Sequence, residues 1–207
     1  MTITITTITT TGMKMKLVID VDGVLADFVL GITKKMSEMN SNVKPFPTSE
    51  QKSWDFRELP PGLLKEAFAE AAVDNAYSFN ADLESLITEE EARRLTRLSL
   101  DHEVYFATNR PGGMEALRGT KRFLDRIGMI HPNVVITAKK GEFAAAIGAT
   151  HLIDDKAGNA VYAKYHSPST EVFLIDRPYN RFDQTVVGTK VNRIMTFSEF
   201  LDAVEKS

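Results

Sequence analysis

The sequence predicts an α/β fold: a three-layer sandwich with helices on both faces of a parallel sheet, and a helical cap inserted into it. Three observations predict this. Short apolar runs rich in β-branched residues recur and each stops at a polar residue, as strands buried on both faces do. Helical stretches separate the later runs, which implies right-handed crossovers. A block of about seventy residues, 31–100, interrupts the alternation and is far too long for an ordinary crossover.

The chain opens on MTITITTITTTGM, residues 1–13, where Thr and Ile alternate without charge. A secretory signal needs a basic start and a continuous apolar stretch, and neither is present. The segment is expected to be a disordered or loosely docked extension, with an edge strand as the alternative on its period-2 pattern.

The first expected strand is Leu17–Ile19, closed by Asp20. Four more follow: Val104–Ala107 before Thr108, Val134–Ile136 before Thr137, His151–Ile153 before Asp154, and Val172–Ile175 before Asp176. Polar residues at strand ends are where open α/β sheets place ligand-binding loops. Helices are expected over Met114–Ile127, stopped by Gly128, over Glu142–Ile147, stopped by Gly148, over Ala157–Tyr165, and over Phe197–Val204 behind Thr196 or Ser198 as N-cap. Within 31–100, Pro-rich breaks flank helix candidates Leu63–Val73 and Glu89–Leu98, the second opened by a Thr88/Glu91 capping box. The expected organisation is a core made of 14–30 and 101–207, with 31–100 as the cap over the strand ends.

Composition excludes several functions. Lys and Arg number 25 against 28 Asp and Glu, a formal charge of −3 that supplies no basic footprint for a nucleic-acid backbone. Zero cysteines exclude disulfides, thiolate metal sites and cysteine nucleophiles, and fit a reducing cytoplasm. No apolar run reaches the ~20 residues that cross a bilayer. The expectation is a soluble, cytoplasmic protein that forms neither a membrane contact nor a stable nucleic-acid complex.

The chemistry-bearing residues sit at the strand ends. Asp20 and Asp22, two apart in extended backbone, point the same way, and Gly23 lets the chain turn sharply after them. Asp154 and Asp155 end a later strand. Four carboxylates converging on one pocket repel unless a cation sits among them, and hard oxygen ligands suit Mg²⁺. Thr108 and Asn109 offer a hydroxyl and an amide, and Lys139 and Lys140 a fixed positive charge. Together they suit phosphoryl transfer.

These strings, DVDGVLADF (20–28), ATNRP (107–111), TAKKGEF (137–143) and HLIDDK (151–156), stand in the order of the four motifs of the haloacid dehalogenase-like phosphatases. Within that superfamily the chain resembles the cytosolic-type 5′(3′)-deoxyribonucleotidases and their bacterial and phage relatives, helped by LIDRPYNR (174–181). The resemblance spans about 16–181 and is loose over the cap. It implies a Rossmann-like core and a Mg²⁺-dependent nucleotidase acting on small nucleotides as a monomer or homodimer. Asp20 would then be the nucleophile and a metal ligand, and Asp22 the acid and base, ligating the metal through its carbonyl. Thr108 would orient the phosphoryl group. Lys140, with Lys139 as rival, would stabilise nucleophile and phosphate, and Asp154 and Asp155 would be metal ligands. Where the animal enzymes have Ser beside the Thr, this chain has Asn109 and then Arg110, which could add a phosphate contact. Phe28 resembles the aromatic that packs against the base, although it could equally join cap to core. Trp54, in SWDF (53–56), either stacks on the base or anchors the cap. Arg177, Tyr179, Asn180 and Arg181 fit either a turn cluster or a loop closing over the site.

Overall fold

The computed structural model describes residues 14–207, so the expected extension at 1–13 lies outside the described residues. Among the described residues, six strands form one all-parallel sheet: β1 (Lys16–Asp20), β2 (Glu103–Thr108), β3 (Asn133–Ile136), β4 (His151–Asp154), β5 (Glu171–Ile175) and β6 (Val191–Ile194), in the order β3-β2-β1-β4-β5-β6. Strand order reverses between β1 and β4, which opens a crevice at their C-terminal ends. Asp20 and Asp154, the last residues of those strands, stand on it.

Alternation along the strands feeds two layers. Leu17, Ile19, Phe106, Ile153 and Phe173 face one cluster, which they share with α4 (Glu89–Asp101), α5 (Gly113–Arg126) and α8 (Phe197–Glu205). Val18, Ala107, Leu152, Val172 and Leu174 face the other, against α6 (Lys140–Ile147) and α7 (Ala157–His166). The second layer is built on Ala144, Ala157, Ala160 and Ala163, small residues that let α6 and α7 lie close to the sheet. This bears out the three-layer α/β reading. Among the described residues, no helix is long and apolar enough to cross a membrane.

The sequence reading lacked β6. Its four residues, VNRI, expose Asn192 and Arg193 and bury only Ile194, so an edge strand shows no apolar run. α6 starts at Lys140, two residues before the expected Glu142. Thr196 is the N-cap of α8, its side chain accepting from the Glu199 N–H, and the Thr88/Glu91 capping box forms as expected.

Between β1 and β2 lie α1 (Phe28–Met39), a 3₁₀ turn (Thr48–Glu50), α2 (Pro61–Ala69) running into a π-helical turn (Glu70–Asp74), α3 (Ala76–Ala81), and α4. α1 and α2 enclose a small core of their own around Ile32, Met36, Leu59, Ala67 and Ala71. α4 behaves differently: it packs on β2 and α8, with Leu95 and Leu98 in the sheet's own cluster. Although α4 falls within the 31–100 expected as cap, its apolar face is spent on the sheet, so by packing it belongs with the core layer.

Candidate functional site

Asp20 is the last residue of β1, and its Oδ1 accepts the Val21 N–H at 2.6 Å. Lys140 opens α6 and sends its ammonium under the strand ends, 2.5 Å from Asp20 Oδ2 and 2.9 Å from Asp154 Oδ2. Asp154 Oδ1 also accepts the Lys156 N–H at 2.8 Å, while Asn159 Nδ2 lies 3.2 Å from both of its oxygens. Asp155, the next residue, brings a third carboxylate. Ligand oxygens of Asp20, Asp154 and Asp155 all lie within 4.8 Å of one another, and all three residues are buried.

Electrostatics follow from that crowding. Burial, offset only in part by Lys140, pushes the Asp20 carboxyl well above the usual carboxylate range, and the charges of Asp154 and Asp155 add to the rise. Asp155 is pushed up to about 7, by burial first and then by the Asp154 charge. For Lys140 burial works against its charge, but the two carboxylates outweigh it and hold the ammonium above its ordinary value.

The fourth expected carboxylate is elsewhere. β1 ends at Asp20, and the chain turns at once, with the Leu25 and Ala26 N–H groups donating to the Val21 carbonyl. The alternation that should align Asp22 with Asp20 therefore no longer operates. Asp22 turns to Thr108, whose Oγ1 donates to its Oδ2 at 2.9 Å, and to Arg110, whose Nε lies 3.0 and 3.2 Å from its two oxygens. The Asp22 carboxylate is thus outside the metal-competent cluster, and only its main chain remains for that role.

The two remaining cations expected at the phosphate, Arg110 and Lys139, stand in different places. Arg110 lines the cavity but is buried and committed: its guanidinium holds Asp22 and donates to Thr120 Oγ1 at 2.8 Å, so it orients a carboxylate. Lys139, the residue before α6, points to solvent with its side chain 79% exposed, 3.8 Å from Glu142. Burial separates the two lysines in favour of Lys140.

Above the cluster lies a cavity of about 530 Å³, lined by Asp20, Asp22, Thr108, Asn109, Arg110, Lys140 and Asp155 at its polar end. Its other wall is Phe28, Trp54, Phe56, Leu64 and Phe68. Phe28 does both things expected of it: it lines the cavity and packs its ring on Phe68 and Phe79, with centroids 5.6 and 5.4 Å away. Trp54 bridges insertion and core, its ring 4.6 Å from Lys156 Nζ and 5.5 Å from Tyr179. Gln51 and Asn159, which sequence reasoning did not place in the site, also line the cavity, as does Tyr179 from the 177–181 segment, for which a loop over the site was one of two expectations.

A divalent cation fits these residues on an internal criterion. Asp155 Oδ1 is buried and has no hydrogen-bond partner among the described residues. Three clustered carboxylates against one ammonium leave about two negative charges uncompensated when ionised. An all-oxygen donor set suits Mg²⁺. The folded protein holds the Asp155 proton up to about pH 7, whereas the unfolded chain releases it near its ordinary ~3.9. The folded state binds more protons across that window, so without metal this group stabilises the protein below about pH 4, and the contribution is lost as pH rises through 7. A bound cation reverses the preference. Saturating Mg²⁺ is expected to raise Tm by about 5–10 °C at pH 8 and much less at pH 5, where protons compete. Thermal melts at both pH values check this, and an equal Mg²⁺ shift at the two would contradict a cation site at these carboxylates.

Known structures share the architecture. A dehalogenase matches with a TM-score of 0.58 at 16% identity, over 92% of this chain and 97% of that one. A HAD family hydrolase from Deinococcus radiodurans R1, with bound phosphate and sodium, matches with a TM-score of 0.59 at 11% identity, over 93% and 96%. The fold is that of the haloacid dehalogenase-like (HAD) hydrolases. A predicted phosphoglycolate phosphatase from Haemophilus somnus 129PT shares it too, with a TM-score of 0.52 at 14% identity, over 93% of this chain and all of that one (100%). No family model and no curated protein matches the sequence. Within this HAD-like fold, the strings that carried the sequence resemblance meet around one cavity: Asp20 and Asp22, Thr108, Lys140, and Asp155 all line it.

Proposed function

We propose that this chain is a Mg²⁺-dependent phosphatase that hydrolyses nucleoside monophosphates, 5′(3′)-deoxyribonucleotides in particular, through an aspartyl-phosphate on Asp20. The observation that carries the reading is the buried Asp20–Lys140–Asp154–Asp155 cluster at the foot of a cavity with aromatic walls. The cavity is large enough for a small nucleotide, and Phe28, Phe56 and Phe68 suit a flat ring. The preference for deoxyribose rests on the motif resemblance alone.

Asp20, Asp154 and Asp155 would hold Mg²⁺, which when bound neutralises charge on the nucleophile and the phosphoryl oxygens. The protein's own residues do the rest. An Asp20 oxygen attacks phosphorus, the ester P–O bond breaks, and Asp22 gives its proton to the departing oxygen. Water then attacks the aspartyl-phosphate and gives a proton to Asp22. The bond from Asp20 to phosphorus breaks, so phosphate leaves and both residues return to their starting state. Arg110 and Thr108 hold Asp22 in one orientation for both transfers. Lys140 fixes Asp20 and offsets the charge that gathers on the phosphoryl group. The helical insertion up to Thr88 acts as the cap, closed on the core through Trp54. A cytoplasmic protein with no stable nucleic-acid complex fits the composition and charge, and the motif resemblance implies a monomer or homodimer.

A second reading keeps the chemistry and changes the substrate to a sugar phosphate or a 3′-phosphorylated nucleic-acid end; a third makes the protein a binding module without turnover. Halide displacement is less well matched, because clustered carboxylates with uncompensated charge call for a cation. Phosphate release from each ribo- and deoxyribonucleoside monophosphate, sugar phosphates and a 3′-phosphorylated oligonucleotide, with and without Mg²⁺, separates the readings. We expect Mg²⁺-dependent turnover at least about 10-fold faster on deoxyribonucleotides than on phosphosugars. Faster phosphosugar turnover would shift the assignment to the second reading, and no release anywhere to the third.

A further inference from the structure

The turn after β5, Asp176–Arg181, carries an unusual share of the hydrogen bonds around the cluster. Tyr179 Oη donates to Asp155 Oδ2, tying one oxygen of that carboxylate while the other, Oδ1, has no partner among the described residues. Asn180 Nδ2 donates to the Asp155 carbonyl at 2.6 Å and to the Ile175 carbonyl at 2.8 Å, so the same turn holds both main chain and side chain of Asp155. The turn is itself fastened. Asn180 Oδ1 accepts from the Arg177 N–H at 3.1 Å and from Arg193 at 2.9 Å, and Asp176 accepts from Arg193 at 3.0 Å and from Arg181. Arg177 Nε reaches across to the Gly23 carbonyl at 2.7 Å.

Gly23 completes the arrangement. With φ at +74°, it is in the left-handed region, and a Cβ there would lie 2.6 Å from Asp155 Cγ and 2.9 Å from Tyr179 Oη. Its bare Cα leaves the space in which the phenol and carboxylate meet. Together these bonds hold Asp155 through its main chain and one carboxylate oxygen, leaving Oδ1 buried and without a partner among the described residues.

We propose that Tyr179 is a positioning residue for the cation site, fixing Asp155 so that Oδ1 faces a divalent ion, with the 176–181 turn as its scaffold. The proposal rests on the cation site of the phosphatase reading. Outer partners of metal-ligating carboxylates set affinity because an unfixed ligand must be ordered when the ion binds.

Mn²⁺ is the probe, with its free ion counted by electron paramagnetic resonance in titrations of the full chain, so that no turnover is required. Tyr179→Phe keeps the ring against Trp54 and removes only the hydroxyl. Its Mn²⁺ affinity is expected to fall about 10–100-fold, with circular dichroism unchanged. Arg177→Lys removes the tie to Gly23 without touching Asp155, and a smaller loss in the same direction is expected. Should Tyr179→Phe fail to fold, Arg177→Lys decides. Unchanged Mn²⁺ affinity in whichever variant folds overturns the proposal, since a merely structural hydrogen bond would lower Tm and leave affinity alone. Absence of saturable Mn²⁺ binding by the unaltered protein overturns both the cation site and this proposal. Tight Mn²⁺ binding that weakens in Tyr179→Phe, without phosphate release from any substrate, supports the proposal while overturning the phosphatase reading.

Discussion

Asp20→Asn is expected to lower Mg²⁺-dependent phosphate release at least about 10⁴-fold, because an amide oxygen cannot form the acyl-phosphate that divides the reaction into two steps. The fold should survive. Asp20 sits among like charges that burial already penalises, so replacing it by a neutral side chain of the same shape relieves repulsion while removing one partner of Lys140. Circular dichroism and a thermal melt alongside the steady-state assay check both halves. Retained turnover in a folded Asp20→Asn protein would remove the covalent mechanism.

Lys140→Met should be damaging in a different way. Among the described residues, the ammonium is the one counter-charge in contact with both Asp20 and Asp154, and its side chain is only 6% exposed. Removing one side of a buried ion pair leaves the other uncompensated, at a cost of about 3–5 kcal/mol, so Tm should fall by about 10 °C or more. Activity should fall about 10²–10³-fold or further, from loss of a fixed charge at the reacting phosphoryl group. Mg²⁺ should recover part of the lost Tm, because a dication supplies the missing positive charge, without recovering the rate. A melt unchanged by the substitution would contradict the charge balance assigned to the cluster. Lys139→Met, by contrast, should change neither quantity appreciably, since that side chain stands in solvent.

How much was legible in the sequence differs by element. The five apolar runs announced five strands because a strand covered on both faces must be apolar throughout. β6 escaped because an edge strand needs no such run, and VNRI reads as polar chain. The Asp20, Asp154 and Asp155 cluster was readable because each residue closes a strand, or follows directly on one, at the reversal of strand order. Asp22 was misdirected by extending strand alternation two residues past the end of β1. Lys139 and Lys140 could not be separated, since adjacent residues at a helix start differ only in which side they face. The choice between a turn cluster and a loop over the site at 177–181 stayed open for a plainer reason: Tyr179's partner Asp155 lies 24 residues away, and the Gly23 carbonyl that Arg177 binds is 154 residues away. No local pattern encodes contacts of that kind. The Arg110–Asp22 pair, 88 residues apart, belongs with them.

The reading as a whole rests on a cation and a nucleophile sharing one cluster beneath one cavity. A crystal structure of the protein grown with Mg²⁺ and beryllium fluoride, which mimics a phosphoryl group on a carboxylate, tests that most directly. The account predicts beryllium on an Asp20 oxygen beside Lys140, and Mg²⁺ held by Asp20, Asp154 and Asp155. Beryllium fluoride on another side chain, or Mg²⁺ bound away from these three carboxylates, would contradict it.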